Sequence, residues 1–249
     1  MPYKTQQYPA FFIFCLACLF AGCSQSPNPE EQVRIGALSE IDTFYFGNRL
    51  VHVKKSDKNT FDKLPGFTEN WDAHKEEKNK LKKDAKWVYR NSDTLFFNIA
   101  GNKKVTLVNS SNNQSDNAVV YHYVGVIPEL NKYLIYATLW EGFNYVMIDK
   151  ETGDTTITIG FPVASPDKKY FVCGNCDLIA GYTFNGIELY TNENKPKQLA
   201  SRELKNWGIN NIRWIDNSSL IVSASFFDTA SVNYQRTEYL KLRWNDKAK

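Results

Sequence analysis

The chain has 249 residues, with 30 Lys and Arg against 27 Asp and Glu and a formal net charge of +3. Nucleic-acid binding depends on a clustered basic surface, so a balance this close to neutral gives it no support. Aromatic residues make up 14% of the chain and only two methionines occur. This composition is typical of a well-packed β protein and does not fit a largely disordered one.

The first feature along the chain is an apolar stretch over residues 10–20. A membrane-spanning helix needs about 20 apolar residues, whereas the apolar core of a secretory signal needs only about 7–15. The stretch therefore predicts export and not a transmembrane helix.

The stretch ends in Leu19-Phe20-Ala21-Gly22-Cys23, which resembles the lipobox of bacterial lipoproteins. The resemblance implies a signal peptide over residues 1–22, fatty acyl chains on Cys23, and a lipidated tether over residues 23–40. The protein would then be held through this lipid anchor on a membrane of the bacterial cell envelope, and we expect the outer membrane. The alternative is an ordinary cleaved signal peptide with a chance cysteine.

One folded domain is expected over residues 41–249. It opens with residues 44–53, which predict a hairpin around Gly47-Asn48, and it continues with a charged insert over residues 54–86. Within the insert, residues 72–86 predict a solvated helix, because their few apolar side chains form no continuous stripe. Contact of the lysines of this helix with anionic lipid headgroups is the alternative interpretation.

A repeated pattern fills the rest of the domain. Each unit has a polar turn followed by a short apolar and aromatic run, at residues 93–97, 131–136, 168–172 and 218–222. Equivalent positions lie 38, 37 and 50 residues apart, close to the ~40–45 residues of a propeller blade. A second strand candidate follows each run, at residues 105–108, 145–148, 187–190 and 239–242. The pattern predicts four hairpins.

Further strand candidates extend these hairpins into larger units. Upstream strands are predicted at residues 121–126, 161–164 and 209–215, and outer strands at residues 155–159 and 198–200. The expected unit is a four-stranded antiparallel sheet.

Ser165-Pro166-Asp167-Lys168-Lys169-Tyr170 resembles the turn of WD-repeat-like, TolB-type β-propellers. The resemblance implies an all-β fold, a small four- or five-bladed β-propeller of antiparallel sheets, complete or incomplete. The hairpin at residues 44–53 would be a fifth blade or the strand that closes the ring, and a curled β-sandwich is the alternative fold. Because Lys168 replaces the Gly of the family, a different turn type is expected there.

Cys173 and Cys176 are spaced C-G-N-C, and they are the two cysteines left once residues 1–22 are removed and Cys23 carries lipid. In an oxidising compartment this pair predicts a structural disulfide across a hairpin turn at Gly174-Asn175. A redox dithiol is the weaker alternative, since no helical pattern follows Cys173. A zinc site is not expected, because no histidine lies near the pair in sequence.

The preferred functional hypothesis is a non-catalytic binding or scaffolding module for an envelope protein or a glycan. Trp140, Phe143 and Tyr182 are the candidate ligand-binding residues, because they lie in predicted loops rich in aromatic residues and Asn. Three other tryptophans are interpreted as core residues that fill the space between sheets, namely Trp207, Trp214 and Trp244. Another hypothesis treats the domain as a docking subunit of an envelope assembly.

The alternative function is a glycan hydrolase or lyase with two carboxylates across a central channel. The available acids are Glu129, Asp167, Asp177, Asp216 and Asp228. All five lie in turn-like contexts, so the acids that recur in the repeat are interpreted as turn structure first. No catalytic residue, cofactor or metal site is predicted.

Overall fold

The computed structural model describes residues 42–66, 73–110 and 118–244. The predicted signal peptide, the tether and Cys23 lie outside these residues. Strands dominate the described part of the chain and form four antiparallel sheets of three to five strands. No helix within these ranges is both long and apolar enough to cross a membrane.

The described chain opens with the predicted hairpin. Strands β1 (Asp42–Phe46) and β2 (Arg49–Lys55) pair antiparallel around a turn at Gly47 and Asn48. Gly47 has a φ of +63°, a left-handed conformation that two-residue hairpin turns require and that glycine adopts without a steric penalty. The predicted hairpin is confirmed.

Two helices lie in the charged insert, α1 (Lys58–Asp62) and α2 (Ala73–Lys83). Asp57 caps α1, because its carboxylate accepts the backbone N–H of Thr60 at 2.9 Å. In α2 an acidic residue lies in the first turn and three lysines lie in the last, which suits the helix dipole. The helix predicted within residues 72–86 is confirmed.

Three sheets of consecutive strands follow. Sheet I contains β3 (Val88–Asn91), β4 (Thr94–Ile99) and β5 (Lys103–Val108), with a short 3-10 helix (Ala100–Asn102) between the last two. Sheet II contains β6 (Val119–Ile127), β7 (Lys132–Leu139), β8 (Gly142–Asp149) and β9 (Thr155–Thr158). Sheet III contains β10 (Val163–Ala164), β11 (Tyr170–Asn175), β12 (Gly186–Thr191) and β13 (Gln198–Glu203).

Sheet IV joins the two ends of the described chain. Its last three strands in sequence are β14 (Trp207–Asp216), β15 (Ser219–Phe227) and β16 (Gln235–Trp244). Strand β16 pairs with β2, and the spatial order is β1-β2-β16-β15-β14. The N-terminal hairpin therefore completes the C-terminal sheet.

The predicted repeat is confirmed at the level of strands. All four hairpins are present and antiparallel, β4 with β5, β7 with β8, β11 with β12, and β15 with β16. Strand β3 was not predicted, because its four residues carry too short an apolar pattern. None of the four sheets of the described residues is closed or curled, so the sheets by themselves identify neither a curled β-sandwich nor a propeller. Neighbouring sheets share no backbone ladder, and apolar side chains pack between sheets I and II and between sheets II and III.

The core lies between successive sheets. One cluster joins sheets I and II and includes Phe97, Tyr123 and Tyr133, and a second joins sheets II and III and includes Leu134 and Phe171. Side chains alternate between the two faces of a strand, so adjacent residues of β7 enter different clusters. Sheet II is consequently buried on both faces, which explains the almost continuous apolar sequence of β7.

Helix α2 is less solvated than the sequence indicates. The Glu77 carboxylate accepts the backbone N–H of Tyr123 at 2.7 Å and an Arg90 guanidinium N–H at 2.8 Å. The Tyr123 hydroxyl donates to Asp84, just beyond the helix, at 2.8 Å, and Leu81 packs against the core between sheets I and II. The expectation of a merely solvated helix is corrected, because polar side chains attach the helix to β3 and β6.

The turn at residues 165–170 is built by its own side chains. The Ser165 hydroxyl donates to the Asp167 carboxylate at 2.7 Å, and the backbone N–H of Lys169 donates to the same carboxylate at 3.1 Å. Lys168 has a φ of +59°, and Asn131, its equivalent in the preceding unit, has a φ of +54°. Both residues thus hold the left-handed conformation that glycine favours, so replacing Gly by Lys168 does not by itself change the backbone conformation at this position.

Candidate binding site

A cleft of about 210 Å³ lies where three of the four sheets meet. Sheet II contributes Phe143 and Tyr145 of β8, and the connection that leads into sheet III contributes Phe161. The end of β11 contributes residues 174–176, and β14 of sheet IV contributes residues 209–212. The cleft is therefore formed only when the sheets pack together, and no single repeat contains it.

A β-bulge shapes the wall formed by β14. Ile209 pairs with Ala224 and Asn211 pairs with Ser223, so Asn210 is an extra residue in the strand. Successive side chains of a regular strand point to opposite faces, whereas a bulge redirects them. The bulge explains how four consecutive residues of β14 can line one cleft.

Two glycines permit the close approach of the sheets at this cleft. A Cβ atom on Gly160 would lie 1.9 Å from the carbonyl oxygen of Gly174, and one on Gly174 would lie 2.5 Å from a methyl carbon of Ile209. Real side chains do not tolerate such distances, so both positions require glycine in this packing.

Trp140 and Tyr182 lie beside the cleft and are called the rim here. They line one depression of about 340 Å³, Trp140 from the turn between β7 and β8 and Tyr182 from the loop between β11 and β12. Trp140 is 54% exposed and Tyr182 is 63% exposed. The turn and the loop are in contact, since a Cβ atom on Gly142 would lie 2.4 Å from the Thr183 methyl group.

Hydrogen bonds hold the loop that carries Tyr182 in a fixed conformation. The Asp177 carboxylate accepts the backbone N–H groups of Gly181 at 2.9 Å and Thr183 at 2.6 Å. Burial alone raises the pKa of Asp177, but these N–H groups and the Thr183 hydroxyl hold its pKa below the usual value. The Asn175 amide, which lines the cleft, donates to the Thr183 hydroxyl at 2.8 Å and thereby connects cleft and rim.

The three candidate residues from the sequence are divided between these two places. Trp140 and Tyr182 share the rim, whereas Phe143 lines the cleft. Phe143 is half-buried and stacks on Tyr136 with ring centroids 5.3 Å apart. The core assignment of the other tryptophans is confirmed, because Trp207, Trp214 and Trp244 are all buried.

The predicted hairpin turn between the cysteines is wrong. Strand β11 continues to Asn175, with Cys173 opposite Glu188 and Asn175 opposite Gly186. Residues three apart on a straight strand point to opposite faces. Cys173 accordingly packs in the core between sheets II and III, whereas Cys176 lines the cleft.

Both cysteines are free thiols, in contrast to the predicted disulfide. Burial raises the pKa of Cys173 well above its usual value and also raises that of Cys176. A reactive dithiol needs a lowered thiol pKa, so the redox alternative gains no support from this geometry.

Four of the five candidate carboxylates accept hydrogen bonds within their own turns or loops. Asp216 accepts the hydroxyl groups of Ser218 and Ser219, and Asp228 accepts the backbone N–H of Ala230. Asp167 and Asp177 are bound within their own turn and loop as described above. Among the described residues, none that lines the cleft is acidic, and no group of three or more His, Cys, Asp or Glu could hold a metal ion.

A buried ion pair lies at the other end of strands β7 and β8. The Lys132 ammonium donates to Asp149 at 2.9 Å and to the carbonyl oxygens of Glu193 and Asn194 at 3.0 and 3.1 Å. The Asp149 carboxylate also accepts the backbone N–H of Thr152 at 2.8 Å. Because residues 193 and 194 belong to the turn between β12 and β13, this pair attaches sheet III to sheet II.

Sequence reasoning did not identify the polar residues of the cleft, which are Asn175, Asn210 and Asn211. One signal was present, since two adjacent amides interrupt the apolar sequence Trp207-Gly208-Ile209-Asn210-Asn211-Ile212. Adjacent polar residues inside an apolar strand fit a bulge. The part of the cleft formed by Phe161 and Tyr145 has no comparable signal, because both residues are expected in a core.

The chain has no counterpart in three comparisons with known proteins. No protein-family model matches it, no curated protein matches it, and no solved structure matches it.

Proposed function

We propose that this protein is a lipid-anchored bacterial envelope protein whose β domain binds a partner and has no catalytic role. The observation that carries the proposal is the adjacency of the exposed aromatic rim and the cleft, at one end of a rigid β scaffold. Exposed aromatic side chains on a fixed loop lose little conformational entropy when they bind, so they suit recognition.

We propose further that the four sheets are blades of a small propeller. Three features support it: the sheets follow one another in chain order, neighbouring sheets pack through side chains, and β2 completes the sheet of β16. Joining of the N- and C-terminal strands in one sheet is a way to close a ring of blades. Partner-binding residues would then lie in loops and turns at one end of the blades.

Anchoring is proposed from the residues that precede the domain. Leu19-Phe20-Ala21-Gly22-Cys23 resembles the lipobox, and a tether of Ser, Pro, Asn and Glu would separate the domain from the bilayer. Several acyl chains give nearly permanent attachment, since each buried CH₂ contributes about 0.8 kcal/mol. Mass spectrometry of the N-terminal peptide checks this part: an acylated Cys23 supports it, and an unmodified Cys23 contradicts it.

Site-specific photocrosslinking in the producing cells tests the binding role. A benzophenone amino acid replaces Tyr182 on the rim or, as a matched control, Tyr45, which is 62% exposed on β1. We expect a discrete adduct from position 182, none from position 45, and at least a fivefold weaker adduct when Trp140→Ala is added. Equal labelling at both positions, or no adduct at either, contradicts the proposed function.

A further inference from the structure

We infer that the cleft between sheets II, III and IV holds one sugar ring of a neutral glycan. This inference depends on the proposed function, because it names the ligand class for the same site. The rim would contact the adjoining sugar residues of the chain.

The size of the cleft limits what it can take. Its volume of about 210 Å³ lies below the roughly 300–1,000 Å³ of clefts that enclose a drug-sized ligand. A single ring with its hydroxyl groups fits this space, whereas a longer ligand must leave the cleft across the rim.

The lining combines two kinds of group that a sugar ring needs. Aromatic rings come from sheet II and from the connection that leads into sheet III, whereas the amides come from β11 and from the bulge of β14. The C–H face of a pyranose packs on aromatic rings, and its hydroxyl groups exchange hydrogen bonds with amides.

Asn210 is the amide most available to a ligand. It is exposed and uses one N–H to donate to the Ser225 hydroxyl at 2.7 Å. The second N–H and the carbonyl oxygen of this amide have no other partner among the described residues. A donor and an acceptor on one side chain match a sugar hydroxyl, which can accept and donate at once.

The charge and polarity of the lining favour a neutral glycan over the other ligand classes. No residue that lines the cleft is charged, so a phosphate or carboxylate group would lose its hydration without gaining an ion pair. An apolar peptide side chain would fill the cleft but would leave the second N–H and the carbonyl oxygen of Asn210 without a ligand partner. Sugar hydroxyls avoid both costs.

A blocked cleft provides the test. Asn210→Trp places a large side chain at an exposed position of the cleft wall, and Thr106→Trp makes the same change on the exposed face of β5 in sheet I. The full chain in detergent is titrated with cellohexaose, maltohexaose, chitohexaose and acidic hexagalacturonate by isothermal titration calorimetry. Thermal unfolding of both variants checks that each is folded.

We expect at least one neutral hexasaccharide to bind the unmodified protein and Thr106→Trp equally, and to bind Asn210→Trp at least tenfold more weakly. Binding of none of the neutral sugars, preferential binding of hexagalacturonate, or equal binding by Asn210→Trp overturns the inference. A protein adduct at position 182 that persists in Asn210→Trp, without sugar binding, overturns it while the proposed function stands. Sugar binding that Asn210→Trp abolishes, without any difference between adducts at positions 182 and 45, supports the inference about the cleft and contradicts the proposed function, because the rim then makes no specific contact.

Discussion

Strands β7 and β8 end in two different ways, and the contrast separates structure from function in this molecule. At one end Lys132 and Asp149 face each other across the ladder, and Lys132 is 1% exposed. At the other end the strands are joined by a turn that exposes Trp140 beside the cleft. The two ends are seven residues apart on β7. The end at Lys132 and Asp149 is called the closed end, because its charges are buried and paired. The end at Trp140 is called the open end, because its aromatic ring is exposed to water.

The two ends differ in whether their side chains already have contact partners within the protein. At the closed end each charge is paired and the ammonium also binds two carbonyl groups of the next sheet. At the open end a large aromatic surface remains in contact with water. A buried group with every partner supplied by the protein holds the fold together, whereas an aromatic group left exposed on a rigid turn is available for binding.

The largest expected effect comes from removing the cation at the closed end. Lys132→Met leaves the Asp149 carboxylate buried without its partner, which we expect to lower the free energy of unfolding by about 3–5 kcal/mol. Lys169→Met is the control, because its ion pair with Asp167 is exposed and contributes at most about 1 kcal/mol. Urea denaturation at pH 7 measures both. Equal decreases in the free energy of unfolding for the two variants would mean that the buried pair of Lys132 and Asp149 does not stabilise the fold more than an exposed ion pair does.

The second effect is a pH dependence that belongs to the same end. Burial alone raises the pKa of Asp149, but hydrogen bonds from Lys132, Thr152 and Glu151 hold the pKa below its ordinary value of 3.8. A carboxyl whose pKa is lowered by folding stabilises the protein above its unfolded pKa, and this contribution is lost as pH falls through the folded value. The stability advantage of the unmodified protein over Asp149→Asn should therefore be constant above about pH 5 and shrink below pH 3.8. A stability difference between the unmodified protein and Asp149→Asn that increases on acidification would contradict this interpretation of the Lys132–Asp149 pair.

Glu188 is a buried acid that has no cationic partner in the part of the chain that the structure describes, and it therefore contrasts with Asp149. Burial raises the pKa of Glu188 above its ordinary value of 4.5, although Tyr190 and Gln198 donate hydrogen bonds to it. Its charged form is disfavoured in the fold, so it costs stability as pH rises from 4.5 through the folded pKa. We expect the stability of the unmodified protein relative to Glu188→Gln to decrease over this interval, opposite in sign to Asp149. Denaturation curves between pH 4 and 8 measure it, and a flat difference would exclude the effect.

The sequence predicts the hairpins of the molecule better than it predicts the cleft between the sheets. Polar turns followed by apolar runs are local signals, and they identify all four hairpins and the N-terminal turn at Gly47. The cleft depends on where three sheets meet, and no local pattern encodes that meeting. The spacing of Cys173 and Cys176 shows the same limit: C-G-N-C fits a hairpin turn locally, but pairing with β12 extends the strand through it.

The smallest expected effect on stability lies at the open end. Trp140 is 54% exposed, and Trp87, its matched control ahead of β3, is 43% exposed. Exposed side chains contribute little to folding, so we expect Trp140→Ala and Trp87→Ala each to change the free energy of unfolding by no more than about 0.5 kcal/mol. Trp214→Ala should cost about 3–5 kcal/mol, since Trp214 is buried against Trp244 and donates to the Val163 carbonyl at 3.0 Å. If Trp140→Ala were as costly as Trp214→Ala, the turn would be part of the core, and the contrast between the two ends of β7 and β8 would no longer point to a binding surface.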